Sequence, residues 1–528
     1  MPVDRALNVF SGEEALRAFY DPDAQAPVPL VELPARLNPL RSDGVRIYAK
    51  LLSHLPATNV KSLPALNMLL RGYEKGKITD ETHTVVEYSS GSTVISLGIL
   101  AHIMGIPHVK AYLSNKTSQP KLDLLRFFGL DLTVFGGHGQ PEPNDPNGGI
   151  YAATEDGKQP GCYNPDQYSN PENYEAHMRW TGPQIVEQLP ELRVFAASIG
   201  TSGTMTGTGL YLKREKPACL RVGVCTAPDD RVPGPRSYSL LAPVAFPWRD
   251  AVDAVEEIAS PESFEQSLVL CRNGLLVGPS SGLALLGLLK HLSKLKEKGG
   301  LDALRNADTG EIPCVFICCD QPFQYISEYY AKLGPEHFLP IKNELLLGVD
   351  PYPYNVDWEF PPRVVHDLLQ GKQVVLPPTL TTTSTGAANT LQLDPAETVV
   401  LDLRAAADFA AGHLPRAVHL DVGAGTGAPL RDTNPYRDPA AMVAQFGALD
   451  ARLARADAVL GRALFGGETV FTLSHDGHTA RLAMSVLRSR GVRAHCVVGG
   501  VAAWVREGLW EEACALGVCG EPLAAEFE

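Results

Sequence analysis

Short apolar segments alternate with longer helix-like segments between residues 45 and 335. This alternation constrains the possible fold class more than any other feature of the sequence. The strand candidates are VRIYAKLL, HTVVEY, HVKAYL, LDLTVF, LRVFAAS, LRVGVC, LLVG and PCVFICC. Helix candidates lie between them, at 62–76, 91–104, 120–129, 173–188 and 281–296. Strands that alternate with helices in this way predict a mostly parallel sheet covered by helices. The expected fold class is therefore α/β.

The chain has 528 residues, which exceeds the size of a single core and predicts two or more domains. Two proline-rich or low-complexity segments interrupt the alternation, DPYPYNVDWEFPP and VLPPTLTTTSTGAANT. A second α/β unit starts at TVVLDLR. We expect a first domain at 1–345, a linker at 346–390 and a second domain at 391–515. Residues 137–172 are rich in Gly, Pro, Asn and Asp, which predicts a long loop.

Composition and charge exclude several classes of function. The net charge of −14 argues against nonspecific nucleic-acid binding, which needs a positive surface. The chain contains no stretch of 18 apolar residues, so we expect no membrane span. The N-terminal residues have neither a secretory nor a transit character. The ten cysteines include no metal-type pair, which is typical of an intracellular protein, so we expect a cytoplasmic location and no metal site.

The segment SIGTSGTMTGTG, at 198–209, directly follows the apolar LRVFAA. Glycine and threonine in this density predict a loop rather than a regular element. A glycine-rich turn between strand and helix exposes backbone N–H groups where a phosphate can bind. An ordinary strand-to-helix turn is the alternative, and the segment alone does not distinguish a nucleotide from another phosphorylated cofactor.

Lys61 lies where an irregular segment meets the start of a helix, in HLPATNVKSLPALNMLL. A lysine at such a position is usually solvated. The helix dipole disfavours a cation at a helix N-terminus, however, and an amine that loses its proton easily suits Schiff-base chemistry.

Five segments, in order, resemble the cysteine synthase family, whose members are fold-type II enzymes dependent on pyridoxal phosphate. They are VPLVELPARLNPLRSDGVRIYAKLLSHLPATNVKSLPA, EYSSGSTVISLGILAHIMG, YNPDQYSNPENYEAHMRWTGPQI, GTSGTMTG and GLLVGPSSGLAL. Together they span roughly residues 25–330. The resemblance implies two α/β subdomains with mostly parallel sheets, an amino-acid substrate and a homodimer.

The resemblance also implies a role for each matching residue. Lys61 would carry the cofactor and move the α-proton. The cofactor phosphate would lie against Gly200, Thr201, Ser202, Gly203 and Thr204. Ser280 would bind the pyridine nitrogen, and a neutral hydroxyl there favours β-elimination and β-replacement over transamination. The substrate carboxylate would be held by Ser89, Ser90, Gly91, Ser92, Thr93 and Gln167.

The chain departs from the family pattern mainly on the substrate side. Asn59 replaces the serine two residues before the lysine, and Ser92 replaces an asparagine beside the cofactor, a contact that the shorter side chain can lose. The segment PGPRSYSLLAPVAFPW stands where the family has a glycine-rich GIGAG, and CCDQPFQYISEYY replaces a segment like SSGERYLS. The reaction class is expected to be retained, but these changes leave the identity of the leaving group and of the nucleophile open, so they need not be acetate and sulfide.

The second domain resembles a rhodanese through VVLDLRAAADFAAGHLPRAVHLDV and TVFTLSHDGHTARLAMSVLRSRGVRAHCVVGGVAAW. A rhodanese needs a thiolate at the head of the active-site loop, and this chain has Ser474 there. Cys496, about twenty residues later, is predicted to be a core residue. We expect the domain to be inactive as a sulfurtransferase and to contribute structurally.

The predicted function is pyridoxal-phosphate-dependent β-replacement on an activated serine or cysteine-like amino acid, through an α-aminoacrylate intermediate. Sulfide or another nucleophile would complete the reaction. One alternative is net β-elimination, which releases pyruvate and ammonia. The other is a non-catalytic scaffold that binds the cofactor, although a pseudoenzyme would be free to lose Lys61.

Overall fold

The computed structural model describes residues 3–4, 8–89, 91–137, 145–242, 244–350, 355–376, 390–420, 435–459 and 469–514. The chain divides into two units, Met1–Leu339 and Pro340–Glu528. Each unit has its own sheets and its own apolar core.

The strands of the first unit are short and apolar, as the alternating pattern predicts. In chain order they are β1 (Val3–Asp4), β2 (Val9–Phe10), β3 (Leu30–Glu32), β4 (Val45–Leu51), β5 (Thr84–Tyr88), β6 (His108–Ser114), β7 (Asp131–Phe135), β8 (Cys162–Tyr163), β9 (Val194–Ser198), β10 (Leu220–Thr226), β11 (Ala254–Ile258) and β12 (Ile312–Cys318). A six-stranded sheet has the order β11-β10-β9-β12-β4-β3, and a four-stranded sheet has the order β7-β6-β5-β8. All of these pairings are parallel except β3 with β4, which confirms the predicted mostly parallel α/β class.

Helices connect the parallel strands and cover the sheets. They are α1 (Ala15–Tyr20), α2 (Ser62–Glu74), α3 (Ser92–Ile103), α4 (Gln119–Phe127), α5 (Gly149–Asp156), α6 (Glu172–Ala176), α7 (Gly182–Gln188), α8 (Gly203–Glu215), α9 (Trp248–Ala251), α10 (Ser260–Arg272), α11 (Pro279–Glu297) and α12 (Ile326–Lys332). Strands β4, β9 and β12 are almost fully buried because each lies between two other strands of the sheet and its side chains pack into the apolar cores of the unit.

Two expectations for this unit are wrong in detail. The segment LLVG, at 275–278, is not a strand but an irregular lead into α11, where Gly278 N donates to Asp320 O at 2.9 Å. Residues 137–172 are not only a loop, since they contain α5 and β8. Strands β3 and β11 were not predicted. Both lie at the edges of the six-stranded sheet, and most of their side chains are only partly buried or are exposed, so the apolar pattern is weak there.

The second unit is a smaller α/β fold. Its strands are β13 (Glu359–Phe360), β14 (Val374–Val375), β15 (Thr390–Leu391), β16 (Thr398–Asp402), β17 (Ala417–His419), β18 (Thr469–Leu473) and β19 (Ala494–Val497). Its helices are α13 (Pro362–Leu369), α14 (Ala406–Ala411), α15 (Pro439–Val459), α16 (His478–Ser489), α17 (Gly500–Arg506) and α18 (Leu509–Cys514). A five-stranded parallel sheet has the order β13-β19-β18-β16-β17. Strand β13 and helix α13 come from the range 346–390, so part of that range is regular structure that packs into this unit.

Within the described ranges, the helices lack the combination of length and apolar character that crossing a bilayer requires.

Candidate active site

One cavity of about 200 Å³ lies at the carboxyl ends of parallel strands from both sheets of the first unit. Strand β5 ends at Tyr88, β9 ends at Ser198, and β12 ends directly before Cys319. In open α/β sheets, ligands bind at this edge. The cavity wall includes every predicted site residue that the structure describes: Lys61, Ser89, Gly91, Ser92, Thr93, Gln167, Gly200, Thr201, Ser202, Gly203, Thr204 and Ser280. Ser90 lies outside the described residues.

Lys61 is held at the start of α2 by its backbone neighbours. Its N–H donates to Asn59 Oδ1 at 2.9 Å, and Val60 N donates to Cys319 O at 2.6 Å. Asn59 Oδ1 also accepts a hydrogen bond from Ser96 Oγ at 3.0 Å, so the residue that replaces the family's serine ties the lysine to α3. Burial lowers the pKa of the Lys61 amine, and the neighbouring Cys319 and Asp320 partly oppose this shift. The amine therefore loses its proton more easily than a solvated lysine, and burial is the main cause.

The loop between β9 and α8 has the geometry of a phosphate site. Ser202 adopts a left-handed conformation with φ of 72°, and α8 begins at Gly203 with no side-chain cap from the described residues. The first N–H groups of α8 thus have no intrahelical acceptor, which suits an anion. A Cβ atom at Gly203 would lie 2.1 Å from Asn173 Oδ1, and one at Gly200 would lie 2.5 Å from Gly234 O. Close packing therefore requires glycine at both positions.

A buried histidine that the sequence analysis did not single out supports this loop. His177 Nε2 lies 3.2 Å from Thr204 Oγ1, and His177 Nδ1 lies 2.9 Å from Thr181 Oγ1. Residues His177–Thr181 form a π-helical turn between α6 and α7. Burial, with a smaller contribution from the charge of Lys61, lowers the pKa of His177 to about 3. The imidazole is therefore neutral at physiological pH. The sequence did contain a signal for His177, because this histidine is part of YNPDQYSNPENYEAHMRWTGPQI, the third segment that resembles the cysteine synthase family.

Ser280 lies in the first turn of α11 and is almost fully buried, with 4% of its surface exposed. The thiol of Cys319 lies nearby, 3.8 Å from Ser198 Oγ, and it forms a further hydrogen bond with Ser280. Burial raises the pKa of the Cys319 thiol, so the group beside Ser280 is neutral. The neutral hydroxyl of Ser280, beside a neutral thiol, is suited to a hydrogen bond with an unprotonated pyridine nitrogen, as the family resemblance implies.

The loop after β5 forms the opposite wall of the cavity. Gly91 N donates to Ser89 Oγ at 3.2 Å, and α3 begins at Ser92 without a side-chain cap among the described residues. Thr93 Oγ1 donates to Gln167 Oε1 at 2.8 Å, and Gln167 Nε2 donates to Tyr88 O at 2.9 Å. Gln167 thus uses both ends of its amide to hold this loop in shape.

Several cavity residues were not predicted. Asp320 Oδ2 accepts hydrogen bonds from Tyr325 Oη at 2.6 Å and from Gln324 Nε2 at 3.1 Å. Burial raises the pKa of Asp320 to about 6, against the opposing effects of these bonds and of two lysines. The wall also contains Lys121, Arg231 and Arg236. Asp320 and Arg236 lie in the two segments that depart from the family pattern, Arg231 lies two residues before one of these segments, and Lys121 lies in α4, so a family motif could not point to them.

Ser474, the residue at the predicted nucleophile position of the second unit, is buried at the head of the loop before α16. Its Oγ atom accepts hydrogen bonds from Gly477 N at 3.1 Å and from Ala480 N at 3.2 Å. These N–H groups are of the kind that would stabilise a thiolate in a rhodanese. Cys496 is 1% exposed in β19, as expected for a core residue, and burial raises the pKa of its thiol to about 12.

Comparison with known proteins assigns a family to each unit. Residues 22–302 match the family model of the pyridoxal-phosphate dependent enzyme, and residues 387–507 match that of the rhodanese-like domain. Cysteine synthase of Helicobacter pylori is 34% identical over 266 residues, which cover 48% of this chain and 83% of the relative. Cysteine synthase B of Salmonella typhimurium is 30% identical over 313 residues, which cover 59% of this chain and 94% of the relative.

A solved structure, the O-acetylserine dependent cystathionine β-synthase from Helicobacter pylori, is 28% identical and has a TM-score of 0.48. It matches 58% of this chain and 96% of its own chain. The first family model spans more than half of the chain and includes Lys61, Ser280 and the loop before α8. The uncapped amides and the buried lysine of the cavity fit the cofactor of that family. The chain is therefore a member of the pyridoxal-phosphate-dependent enzyme family and carries a rhodanese-like domain after the catalytic unit.

Proposed function

We propose that this chain catalyses β-replacement on an activated serine, with a sulfur nucleophile such as sulfide and with cysteine as the product. The observation that carries the proposal is the convergence of four predicted elements on one cavity. These are Lys61, Ser280, the loop at 200–204 and, from the loop after β5, Ser89 and residues 91–93. The similarity to two cysteine synthases supports the same reaction.

Pyridoxal phosphate, when bound, supplies an electron sink for the charge that develops at the Cα atom of the amino acid. Lys61 would attach the cofactor. Because burial lowers the pKa of its amine, the neutral form that can take a proton from Cα is favoured. The amide groups of the loop at 200–204 would hold the phosphate, together with the Thr201, Ser202 and Thr204 hydroxyls. Ser280 would donate to the ring nitrogen.

The loop at 89–93 would bind the substrate carboxylate through N–H groups at the start of α3. Thr93 and Gln167 hold this loop in shape through their mutual hydrogen bond. The carboxylate is thereby fixed at one wall while the reacting carbon faces Lys61. Ser92 Oγ accepts a hydrogen bond from Gln324 Nε2 at 3.5 Å.

We further propose that the chain acts as a cytoplasmic homodimer, as the family resemblance implies. Sedimentation of the purified protein and fractionation of the source cells test these two points.

The test of the reaction uses the purified full chain with pyridoxal phosphate. O-acetyl-L-serine should change the visible spectrum of the bound cofactor, and added sulfide should restore the spectrum while cysteine forms. Lys61→Ala should abolish cysteine formation, whereas Lys77→Ala, at an exposed lysine of the same unit, should not. Release of pyruvate without cysteine would identify β-elimination instead. An unchanged spectrum with the cofactor bound would identify a scaffold.

A further inference from the structure

Glu87 is a buried carboxyl group directly behind the loop that follows β5, and the proposed reaction does not use it. It is the fourth of the five residues of β5, after the apolar Val85 and Val86, and only 1% of its surface is exposed. Buried positions of a parallel strand usually carry apolar side chains, because a buried carboxyl group is costly unless it is hydrogen-bonded. This cost is an argument for a role beyond packing.

The carboxyl group of Glu87 joins two chain segments that border the loop after β5. Its Oε1 atom accepts a hydrogen bond from Tyr88 N at 2.8 Å, and its Oε2 atom accepts one from Gln167 N at 3.1 Å. The backbone N–H of Asp166 donates to the same carboxyl group. Tyr88 is the last residue before the loop, so Glu87 fixes the end of β5 against the segment at 166–167.

Gln167 passes this constraint on in two directions. Its side chain holds the loop after β5 through Thr93, whose Oγ1 donates to Gln167 Oε1 at 2.8 Å. Its carbonyl accepts from Asn173 Nδ2 at 2.7 Å, and this amide also donates to Thr201 Oγ1 at 3.2 Å. The loop after β5 is therefore one residue away from Glu87 in the network, whereas the loop at 200–204 is two residues away. A change at Glu87 should affect the first loop more than the second.

The charged groups near Glu87 do not neutralise it. Among the described residues, none with a positive charge forms an ion pair with this carboxyl group. Burial is the main cause that raises the pKa of Glu87 to about 8; the charge of Asp166 adds to the shift, and the backbone hydrogen bonds oppose it. The phenols of Tyr163 and Tyr168 also face Glu87, and burial raises their pKa values, so both stay neutral near pH 8.

The other elements packed against β5 add no free charge among the residues that the structure describes. Ala111 of β6 lies opposite Glu87, and the adjacent Lys110 forms an ion pair with Asp156 of α5 at 2.8 Å. Helix α3 carries one basic side chain, His102, and this residue is in its last turn. Glu87 is therefore the group in this region that changes its charge near pH 8.

We propose that Glu87 is a positioning residue for amino-acid binding, whose carboxyl group sets the shape and the charge of the loop after β5. The inference rests on the proposed function, from which it takes the binding of the substrate carboxylate by this loop. Glu87 accepts the N–H of the residue directly before the loop, and the N–H groups of the loop itself would hold the carboxylate. Glu87 is thus expected to act through the loop rather than by touching the substrate.

This arrangement couples amino-acid binding to a proton. The ionised form of Glu87 and the carboxylate of a bound amino acid are like charges only a few residues apart, and each disfavours the other. Binding of the amino acid should therefore raise the pKa of Glu87 further and take up a proton near pH 8. By linkage, the affinity for an amino-acid carboxylate should fall as the pH rises above about 8.

The experiment measures ligand binding to the holoenzyme by calorimetric titration, with L-serine and with L-serinamide, which lacks the carboxylate. The proteins are the wild type, Glu87→Gln and the control Glu81→Gln, at an exposed glutamate before β5. An amide has one acceptor oxygen in place of two, so Glu87→Gln leaves an N–H group of the clamp without its partner. The variant should raise the Kd of L-serine about 5- to 150-fold at pH 7, the usual range of coupling between two sites. It should change the Kd of L-serinamide, and that of pyridoxal phosphate, by less than threefold.

The pH dependence separates positioning from simple support of the fold. Between pH 7 and pH 9, the ratio of the Kd of Glu87→Gln to that of the wild type should fall for L-serine and stay constant for L-serinamide. This ratio removes the titration of the ligand amine. Circular dichroism and the cofactor content show whether the variant is folded. Where it is not, the wild type alone gives the answer, because L-serine should take up more protons than L-serinamide in two buffers of different ionisation enthalpy at pH 8.

Equal effects on both ligands, an unchanged Kd of L-serine or equal proton uptake would each overturn the inference. The proposed reaction is decided separately, by cysteine formation from O-acetyl-L-serine and sulfide. If L-serine binds as expected and no cysteine forms, β-replacement fails and the role of Glu87 stands. If the wild type does not bind L-serine, the carboxylate site is wrong and the inference is overturned with it.

Discussion

His177 Nε2 faces Thr204 Oγ1 at 3.2 Å, and this contact links a buried imidazole to the first turn of α8. The other ring nitrogen is held by Thr181, so the imidazole cannot rotate without losing a hydrogen bond. Since the pKa of His177 lies near 3, one ring nitrogen donates and the other accepts throughout the physiological range. The hydroxyl of Thr204, at the end of the loop at 200–204, is thereby held in a fixed position.

Replacement of His177 by Phe should weaken binding of pyridoxal phosphate about 2- to 12-fold, the value of one neutral hydrogen bond. Equilibrium dialysis of the refolded apoprotein measures the dissociation constant. Thr181→Val, which removes only the outer partner of the imidazole, should have a smaller effect. In the wild type, titration of His177 should cause no change in the affinity for pyridoxal phosphate between pH 5 and pH 8, because the pKa of this histidine is about 3. An unchanged affinity in the Phe variant would contradict the positioning role.

Borohydride reduction of the holoenzyme, followed by peptide mapping, should place the pyridoxyl group on Lys61. The cause is the low pKa that burial gives to this amine at the cavity wall. Lys50 is the internal comparison, since it is also buried but donates to Val28 O, Gln184 Oε1 and Gln188 Oε1 away from the cavity. A pyridoxyl group on Lys50 or on Lys121 would disprove the assignment.

Asp320→Asn should change the pH dependence of stability. Burial raises the pKa of Asp320 to about 6, so the folded state binds this proton more tightly than the unfolded state, where the pKa is about 3.9. The contribution to stability is full below about pH 4 and is lost as the pH rises to about 6. The variant should therefore gain up to about 3 kcal/mol relative to wild type between pH 4 and pH 7. Denaturant unfolding across that range measures the difference, and a constant difference would refute the shift.

Ser474→Cys in the full chain should create a thiol with a pKa below the usual value of about 8.5, because Gly477 N and Ala480 N point at the Oγ position. The rate of alkylation by iodoacetamide as a function of pH measures this pKa. Ser489→Cys, at the exposed end of α16, is the control and should show an ordinary pKa. The wild-type chain should transfer no sulfur from thiosulfate to cyanide. Turnover by the wild type would show that the domain is an active sulfurtransferase.

Gly207→Ala should destabilise the first unit by about 1–3 kcal/mol, as overpacking of a close contact usually does. A Cβ atom there would lie 2.0 Å from Tyr174 O and 2.8 Å from the Cβ atom of His177. Gly136→Ala is the matched control, because its Cβ atom would meet nothing within 4 Å. Denaturant midpoints compare the two variants, and equal midpoints would show that α6 and α8 can separate at little cost.

The central strands and helices follow from the sequence because burial on both faces leaves an unbroken apolar pattern. The failures lie where that pattern is weak or misleading. The segment at 275–278 is apolar because it leads into α11 beneath Asp320, and its backbone bonds to a loop rather than to a strand. In the edge strand β11, three of the five side chains are half-buried, so its sequence lacks the clear alternation of apolar and polar residues that would predict a strand.

The cofactor side of the cavity was accessible from local motifs because glycine, lysine and serine stand there in a fixed order. Local sequence motifs did not identify the residues that shape the other side of the cavity, where the substrate is expected. The importance of Arg236 follows only from its burial at the cavity wall, and that of Asp320 only from its closeness to Tyr325 and Lys61. Both facts depend on which strand ends are neighbours, and this depends on the strand order of the sheet.

Asn59 has a mechanical consequence. It joins the backbone of Lys61 to Ser96 of α3, while Val60 is fastened to the end of β12 through Cys319. The lysine therefore stands at a fixed point between the two sheets. Any rocking of one sheet against the other must leave this point nearly still and displace the outer rim of the cavity most. Under the proposed function, substrates then enter and products leave while the amine of Lys61 keeps its place.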